Sequence, residues 1–287
     1  MKKKIGIGFI GMSIAVIFSC EVNTVSEKPK DAKNPEQQNQ MQSQKTSGPD
    51  ESKSVKDSLL MDNGALIRWF EHGDGEKVEY GEMVMIDYKV VLENGTVVDG
   101  NHLINKPSFP FVVGFGMQTE AWDLALQEMR VGDFAEVYFP AQLVRGAKEI
   151  KGIIPPNSNN IVTIKVLRKE KPTREVDGNK VWLFEENPNN TDKFDEGKIV
   201  DFHCMVSTPS NPFYINTFRE GNPFSLRITD YGVVPGLKKA LINAKAADRM
   251  YIYVPASEGY KDKGFQNLVK PNEDLLYNVL IMSIVDE

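Results

Sequence analysis

The chain carries one sequence pattern twice, and this internal repeat limits the fold more than any other feature. With a shift of 115 residues, no gap is needed from Phe109 to the C-terminus, and Phe109 then aligns with Phe224. Ahead of Phe109 the shift is 116, which aligns Val90 with Val206. Because chance similarity does not keep register with both helical and strand periods, we infer an internal duplication.

Each copy has the signals of several strands and one short helix. Apolar residues alternate with polar ones over residues 84–90, which predicts a strand, and Asn94-Gly95 behind it predicts a tight hairpin turn. Helical spacing over residues 121–129, with Thr119 placed to cap it, predicts a helix. Further strands are predicted at residues 135–139 and 161–167, and residues 169–174 as the link to the second copy.

These signals predict an α+β fold made of two tandem units. In each unit a curved antiparallel β-sheet packs its apolar face on a short α-helix. The predicted domains are residues 61–171 and 172–287, and each is long enough to enclose a core of its own.

The first nineteen residues have the layout of a secretory signal. Three lysines precede an uncharged run over residues 5–19, which is too short to span a bilayer as a stable helix and is followed by Cys20. The segment resembles a bacterial lipoprotein signal. That resemblance implies lipidation of Cys20 and a place in the bacterial cell envelope, anchored to the inner or outer membrane and facing the periplasm. An ordinary signal peptide with a chance cysteine is the alternative.

Residues 20–60 are expected to form a disordered tether. Lys, Glu, Asp, Gln, Asn, Ser and Pro dominate, and no aromatic residue occurs over residues 21–58. Such a segment cannot bury enough apolar surface to offset the entropy lost on ordering.

Composition and charge exclude several other classes of protein. With 41% apolar and 26% charged residues the chain is globular, and two cysteines cannot build a disulfide framework. Without the three lysines of residues 1–19, 31 basic side chains face 40 acidic ones, a net charge of −9 that argues against binding nucleic acid. His72, His102 and His203 have no metal-ligand spacing, so we expect neither a metal nor another cofactor.

Residues 66–170 carry a series of motifs in a specific order and spacing. The motifs are Val-Val-Leu-Glu-Asn-Gly-Thr-Val-Val-Asp, Asn-Lys-Pro leading to Phe-Pro-Phe-Val-Val-Gly, Ala-Trp-Asp-Leu-Ala-Leu-Gln-Glu-Met-Arg-Val-Gly, Gly-Ala, and Gly-Ile-Ile-Pro-Pro-Asn. This copy resembles the FKBP-type peptidyl-prolyl cis-trans isomerases, and residues 181–287 resemble a diverged member. The resemblance implies a five- or six-stranded antiparallel sheet around a short helix, and proline-containing polypeptides as partners.

Isomerisation of an X-Pro bond needs no nucleophile and no cofactor. Rotation breaks amide resonance, against a barrier of about 18 to 20 kcal/mol. Because the twisted amide is less dipolar than the planar one, an apolar pocket favours the twisted form by differential binding.

The resemblance implies a role for ten residues of the first copy. Trp122 forms the floor of the pocket, the Ile154 N–H donates to a substrate carbonyl, Asp99 faces the twisted amide, and Tyr88 hydrogen-bonds near Asp99. The implied substrate-binding residues are Val98, Phe109, Phe111, Ile153, Arg145 and Val162.

Five positions of the first copy depart from the family pattern. Val98 and Val162 replace aromatic residues, Gln118-Thr119 replaces an apolar pair, and Arg145 replaces a tyrosine that donates to the bound peptide. These replacements predict a wider and more polar pocket with weak to moderate isomerase activity.

The second copy departs at different positions. Leu237 replaces the floor tryptophan, Cys204 replaces the strand tyrosine, and no aspartate stands near residues 213–216. The copy keeps Tyr260, Tyr277, Phe224 and Val233-Val234. Either it holds an apolar peptide without isomerising it, or it is a structural spacer.

Three classes of function therefore remain open for the whole chain. They are a lipid-anchored isomerase, a peptide-binding chaperone, and an interaction component of an envelope assembly.

Overall fold

A computed structural model describes residues 54–186, 188 and 190–287. The predicted signal, Cys20 and the predicted tether up to residue 53 lie outside the described residues. Two seven-stranded antiparallel sheets follow one another along the described chain.

The first sheet contains strands β1 to β7. Its order is β1-β2-β6-β7-β3-β4, and β5 also pairs with β3. The strands are β1 (Asp57–Leu60), β2 (Leu66–Glu71), β3 (Met83–Leu92), β4 (Val97–Gly100), β5 (Phe109–Val112), β6 (Phe134–Phe139) and β7 (Asn160–Glu170). We call this sheet with its helix, α1 (Glu120–Gln127), the first repeat.

The second sheet contains strands β8 to β14. Its order is β11-β10-β14-β13-β9-β8, and β12 also pairs with β10. The strands are β8 (Arg174–Val176), β9 (Asn179–Glu185), β10 (Lys198–Ser207), β11 (Ile215–Asn216), β12 (Phe224–Arg227), β13 (Arg249–Val254) and β14 (Leu275–Asp286). We call it, with helices α2 (Thr217–Glu220) and α3 (Pro235–Leu241), the second repeat.

The two sheets have the same strand connectivity. Read from β8, the second order is β8-β9-β13-β14-β10-β11, which matches the first strand for strand, with β12 in the place of β5. The register also agrees, since Val90 pairs with Asp99 in the first sheet and Val206 with Ile215 in the second. The predicted shift of 116 residues in this part of the chain is therefore kept in the pairing.

Alternation of buried and half-buried side chains explains these strands. Along β3 the pattern switches from continuous burial at Met83 to alternation from Ile86 onward, as expected where one face packs on a core. In the second repeat the buried core includes Leu237 and Leu241 of α3 together with Val200 and Ile252 of the sheet. Pro235 lies at the start of α3, where its missing N–H costs nothing.

Several predicted boundaries and counts differ from the structure. The expected sheet of five or six strands has seven, because β1 adds an edge strand. β1 lies inside the predicted tether of residues 20–60; its side chains are exposed, but its backbone pairs with β2. The predicted link over residues 169–174 shrinks to 171–173, because β7 extends to Glu170 and β8 begins at Arg174.

Two local predictions need correction. The hairpin predicted at Asn94-Gly95 exists, but its strands are joined by four residues, Glu93–Thr96, and not by a two-residue turn. Of these four, Gly95 alone takes the left-handed conformation, with φ of 83°. Thr119 occupies the N-cap position of α1, yet its side chain makes no capping hydrogen bond. Within the described part of the chain, its buried hydroxyl has no partner.

None of the helices over the described residues is both long enough and apolar enough to cross a membrane.

Candidate active site

Tyr88 and Asp99 form a buried polar pair on adjacent strands. Tyr88 lies on β3 and is 2% exposed, and Asp99 lies on β4 and is 9% exposed. The Tyr88 hydroxyl donates to the Asp99 carboxylate; burial, followed by the charge of Asp99, raises the pKa of Tyr88 well above its ordinary value. The carboxylate also accepts the Gly100 N–H at 2.7 Å. Both groups are therefore fixed in a setting poor in water.

Asn101 holds the backbone beside this pair. Its Oδ1 accepts the Tyr88 N–H at 2.7 Å, and its Nδ2 donates to the Lys106 carbonyl at 2.9 Å. The same bond exists in the second repeat, where Thr217 Oγ1 accepts the Cys204 N–H at 2.8 Å. Since Tyr88 and Cys204 are equivalent by register, the two repeats keep this side-chain-to-backbone hydrogen bond with different side chains.

Two phenylalanine rings of β5 contact Tyr88 and Trp122. The Phe109 ring meets the Tyr88 ring edge to face, with centroids 5.6 Å apart. The Phe111 ring stacks on Trp122 at 6.1 Å with an interplanar angle of 13°. Phe109 and Phe111 lie two residues apart on β5, so their side chains leave the strand on the same face. Trp122 is 2% exposed and stands in the first turn of α1.

Asp123, next to Trp122, fixes the loop that leads into α1. One carboxylate oxygen accepts the Gly114 N–H and the other the Gly116 N–H, each at 2.7 Å. Burial raises the pKa of this carboxyl to about 6, while the amide hydrogen bonds act against that rise. The loop between β5 and Trp122 is therefore held by a carboxylate that is itself buried.

The Ile154 amide, which the family resemblance implies as a donor to the substrate, is hydrogen-bonded within the protein. Its N–H donates to the Ile150 carbonyl at 2.9 Å, and the Ile150 N–H donates back at 2.8 Å. A backbone amide has one hydrogen, so the predicted bond from Ile154 to a substrate carbonyl has to replace or share the bond to Ile150, and it stays a prediction. The Ile154 side chain is 6% exposed and Ile153 is 48% exposed.

The remaining predicted residues differ in their exposure. Val98 is buried on β4, next to Asp99. Val162 is fully buried on β7, opposite Val137. Arg145 is half-buried, and desolvation lowers the pKa of its guanidinium.

Two buried polar residues that support the candidate site were not predicted from the sequence. Asn101 and Asp123 are buried polar residues whose hydrogen bonds hold backbone beside Tyr88 and Trp122. The one signal for Asp123 in the sequence is its place directly after Trp122, in the first turn of the predicted helix. Asn101 gave none, since its partner amide lies thirteen residues away on another strand.

In the second repeat the equivalent positions are mostly apolar or phenolic. Leu237 and Cys204 are buried, as expected for the positions of Trp122 and Tyr88, and burial raises the pKa of the Cys204 thiol to about 12. The register puts Ile215 opposite Val206, where the first repeat has Asp99 opposite Val90. The carboxylate of the first repeat therefore has no equivalent.

Over residues 54–186, 188 and 190–287, no three His, Cys, Asp or Glu side chains are grouped so that they could hold a metal ion.

Comparison with known proteins identifies the family. The model of the FKBP-type peptidyl-prolyl cis-trans isomerases matches residues 74–167 and again residues 190–282. Human peptidyl-prolyl cis-trans isomerase FKBP10 is 22% identical over 211 residues, which is 72% of this chain and 35% of that protein. Arabidopsis thaliana peptidyl-prolyl cis-trans isomerase FKBP53 is 34% identical over 99 residues, 33% of this chain and 20% of that protein.

A single-domain relative and a solved structure also match. FK506-binding protein 1 of Candida glabrata is 30% identical over 112 residues, 39% of this chain and 97% of that protein. The crystal structure of the three FKBP domains of wheat FKBP73 is 21% identical, with a TM-score of 0.39, and the match covers 82% of this chain and all of that one. The chain spans between a fifth and about half of the length of the larger relatives. The two family matches together cover more than half of the chain, which therefore belongs to the FKBP-type peptidyl-prolyl cis-trans isomerase family.

Proposed function

We propose that the first repeat is a peptidyl-prolyl cis-trans isomerase that acts on X-Pro bonds of envelope or secreted proteins. The observation that carries the proposal is the buried Tyr88–Asp99 pair, together with the stacked Phe111 and Trp122. These are a fixed carboxylate and an apolar aromatic surface. Both suit a reaction that needs no covalent step.

The chemistry follows from the lower polarity of the twisted amide. Trp122, Phe109 and Phe111 supply apolar surface for the proline ring, and this surface favours the twisted state over the planar one. We assign to Asp99 the role of facing the amide as it rotates. Its carboxylate is already held by the Tyr88 hydroxyl and the Gly100 N–H, so little reorganisation is needed at the moment of rotation.

An isosteric substitution tests this assignment. Asp99→Asn keeps the size of the side chain and removes its charge, so we expect kcat/KM for an X-Pro tetrapeptide to fall at least tenfold, roughly 1.4 kcal/mol. Asp62→Asn, at an exposed position of the same repeat, is the control and should leave the rate unchanged. The assignment is wrong if both variants retain the wild-type rate.

A second candidate function is peptide-binding chaperone activity with little catalysis. The departures at Val98, Gln118, Thr119 and Arg145 favour it, because they make the proposed pocket wider and more polar. Suppression of aggregation by a wild-type chain that leaves X-Pro exchange at its uncatalysed rate would support this candidate over the first.

We also propose two domains behind a lipid-anchored tether. The first is residues 61–171 extended back to include β1, and the second is residues 172–287. The basic start, the apolar run over residues 5–19 and Cys20 support the anchor. Expression in a bacterium supplied with labelled palmitate tests it. The Cys20→Ser variant should incorporate no label and should no longer be found in the membrane fraction. Label that persists in this variant would refute the anchor.

A further inference from the structure

Asp274, directly before β14, accepts hydrogen bonds from three donors. One of its carboxylate oxygens accepts the hydroxyls of Tyr80 and Tyr253, at 2.9 and 2.8 Å, and the other accepts the Ala256 N–H at 2.7 Å. Tyr80 lies 194 residues earlier in the chain, shortly before β3. Tyr80 and Asp274 nevertheless belong to one compact unit of the chain, which comprises residues 73–85, 110–132 and 166–287.

The Tyr80 ring packs on the loop between β5 and α1. It stacks on the fully buried ring of Phe115, with centroids 5.6 Å apart and an interplanar angle of 29°. Gly114 has a φ of 103°, and a Cβ at this position would collide with the Tyr80 ring. The ring therefore approaches the loop backbone as closely as it does because residue 114 is a glycine. Backbone pairing adds to this contact, since the Gly81 N–H donates to the Val113 carbonyl at 2.9 Å.

This loop is also the one that Asp123 holds beside Trp122. The N–H groups of Gly114 and Gly116 donate to the two oxygens of the Asp123 carboxylate. Phe111, three residues before Gly114, stacks on Trp122. Because the loop is bonded to the residue next to Trp122 and is continuous in sequence with Phe111, a displacement of the loop changes how the two stacked rings lie.

The three bonds at Asp274 require a carboxylate. All three partners are donors, and they approach both oxygens of a half-buried side chain. An asparagine has one acceptor oxygen and one donor NH2 group, so it leaves either the two hydroxyls or the Ala256 N–H without an acceptor. Burial, followed by the charge of Asp274, raises the pKa of Tyr80 well above its ordinary value, so the hydroxyl keeps the proton that it donates.

We propose that Asp274 is a positioning residue for the stacked Phe111 and Trp122. Its carboxylate fixes the Tyr80 ring, and this ring holds the loop whose amides Asp123 accepts. This inference rests on the proposed function, because the stacked rings are the surface proposed to contact the proline ring. Through Asp274, the second repeat then contributes to the rate of isomerisation by the first.

Fluorine NMR of the full chain labelled with fluorotryptophan tests the proposal. The chain has three tryptophans, and the Trp122 resonance is the one missing from Trp122→Leu. In Tyr80→Phe and in Asp274→Asn, at a temperature where thermal unfolding shows both to be folded, we expect the Trp122 resonance to move or broaden. The resonance of Trp69, on β2, should stay in place. In Tyr80→Phe, kcat/KM for the X-Pro tetrapeptide should fall about fivefold, the effect of losing one hydrogen bond.

Asp201→Asn is the matched control. Asp201, on β10 of the second repeat, also accepts two side-chain hydroxyls, those of Ser225 and Ser283, so the same substitution disturbs a similar set of hydrogen bonds elsewhere in that repeat. Its Trp122 resonance and its rate should match the wild type. A Trp122 resonance that stays in place in Tyr80→Phe and Asp274→Asn, or that moves as far in Asp201→Asn, would overturn the inference. Should Asp274→Asn fail to fold, Tyr80→Phe, which keeps its ring, decides alone.

X-Pro isomerisation measured on the same samples separates this inference from the proposed function. A Trp122 resonance that depends on Asp274, in a chain that does not accelerate isomerisation, would remove the proposed function and leave the positioning of the rings. Wild-type acceleration that persists unchanged in Tyr80→Phe and Asp274→Asn would leave the proposed function and overturn the inference.

Discussion

Asp123 shows at the scale of one residue how burial and hydrogen bonding oppose each other. Its two oxygens accept the Gly114 and Gly116 amides, which favours the carboxylate, while burial disfavours the charge more strongly. The carboxyl pKa is therefore raised from its ordinary 3.8 to about 6. Since the native state holds this proton more tightly than the unfolded chain, ionisation of Asp123 makes folding less favourable.

This raised pKa predicts a defined dependence of stability on pH. The loss of folding free energy caused by ionising Asp123 is absent below about pH 4 and grows as the pH rises to 6. Above pH 6 it reaches its full value of roughly 3 kcal/mol. The free energy of unfolding of the wild type, relative to the uncharged variant Asp123→Asn, should therefore fall by about 2 to 3 kcal/mol between pH 4 and pH 7.5. Urea unfolding at several pH values measures this difference.

The exposed Asp62 supplies the control for that series. The free energy of unfolding of Asp62→Asn should stay within a few tenths of a kcal/mol of the wild-type value across the same pH range, as expected of a surface substitution. A difference between wild type and Asp123→Asn that stays constant, or that grows in favour of the wild type as pH rises, would show that the carboxyl pKa is not raised.

At the scale of elements, the two repeats keep the same supports with different chemistry. Asp123 holds the loop before α1 by accepting backbone amides. In the second repeat Lys238 stands at the equivalent position of α3 and donates to the carbonyls of Ile228 and Asp230, at 3.2 and 2.8 Å. The charge of the supporting side chain has reversed, and the loop before the helix is still fixed.

Most strands and the main helix of each repeat could be predicted from the sequence because burial follows their periods. The four-residue α2 of the second repeat was not predicted. β3, β6 and β7 contain the predicted strands, and α1 contains most of the predicted helix. β1 could not be predicted in this way. Its side chains are all exposed, so it leaves no apolar pattern, and only backbone pairing with β2 makes it a strand.

The candidate site was predictable only in part. Tyr88 and Asp99 were expected to interact and do so, because a register of paired strands fixes their separation. Thr119 failed as a cap, because a cap depends on the direction of a single bond. The bond from the Ile154 amide to Ile150 could not be predicted from the sequence for the same reason.

For the whole molecule, one topology carries two different sets of side chains. The first repeat keeps a buried carboxylate, a phenol and an indole, and the second has Ile215, Cys204 and Leu237 at the same positions. We assign catalysis to the first repeat alone. Substitutions at equivalent positions can therefore convert one repeat toward the other without altering the shared topology.

The most direct test replaces the tryptophan of the first repeat by the residue of the second. Trp122→Leu copies Leu237 into α1, and exchange between cis and trans forms of an X-Pro tetrapeptide is measured by NMR for the full chain. The account predicts that the wild type accelerates exchange and that the variant, shown to be folded by thermal unfolding, loses at least tenfold of that acceleration, roughly 1.4 kcal/mol. A folded variant that retains the wild-type rate would contradict the account, as would a wild type that does not accelerate exchange.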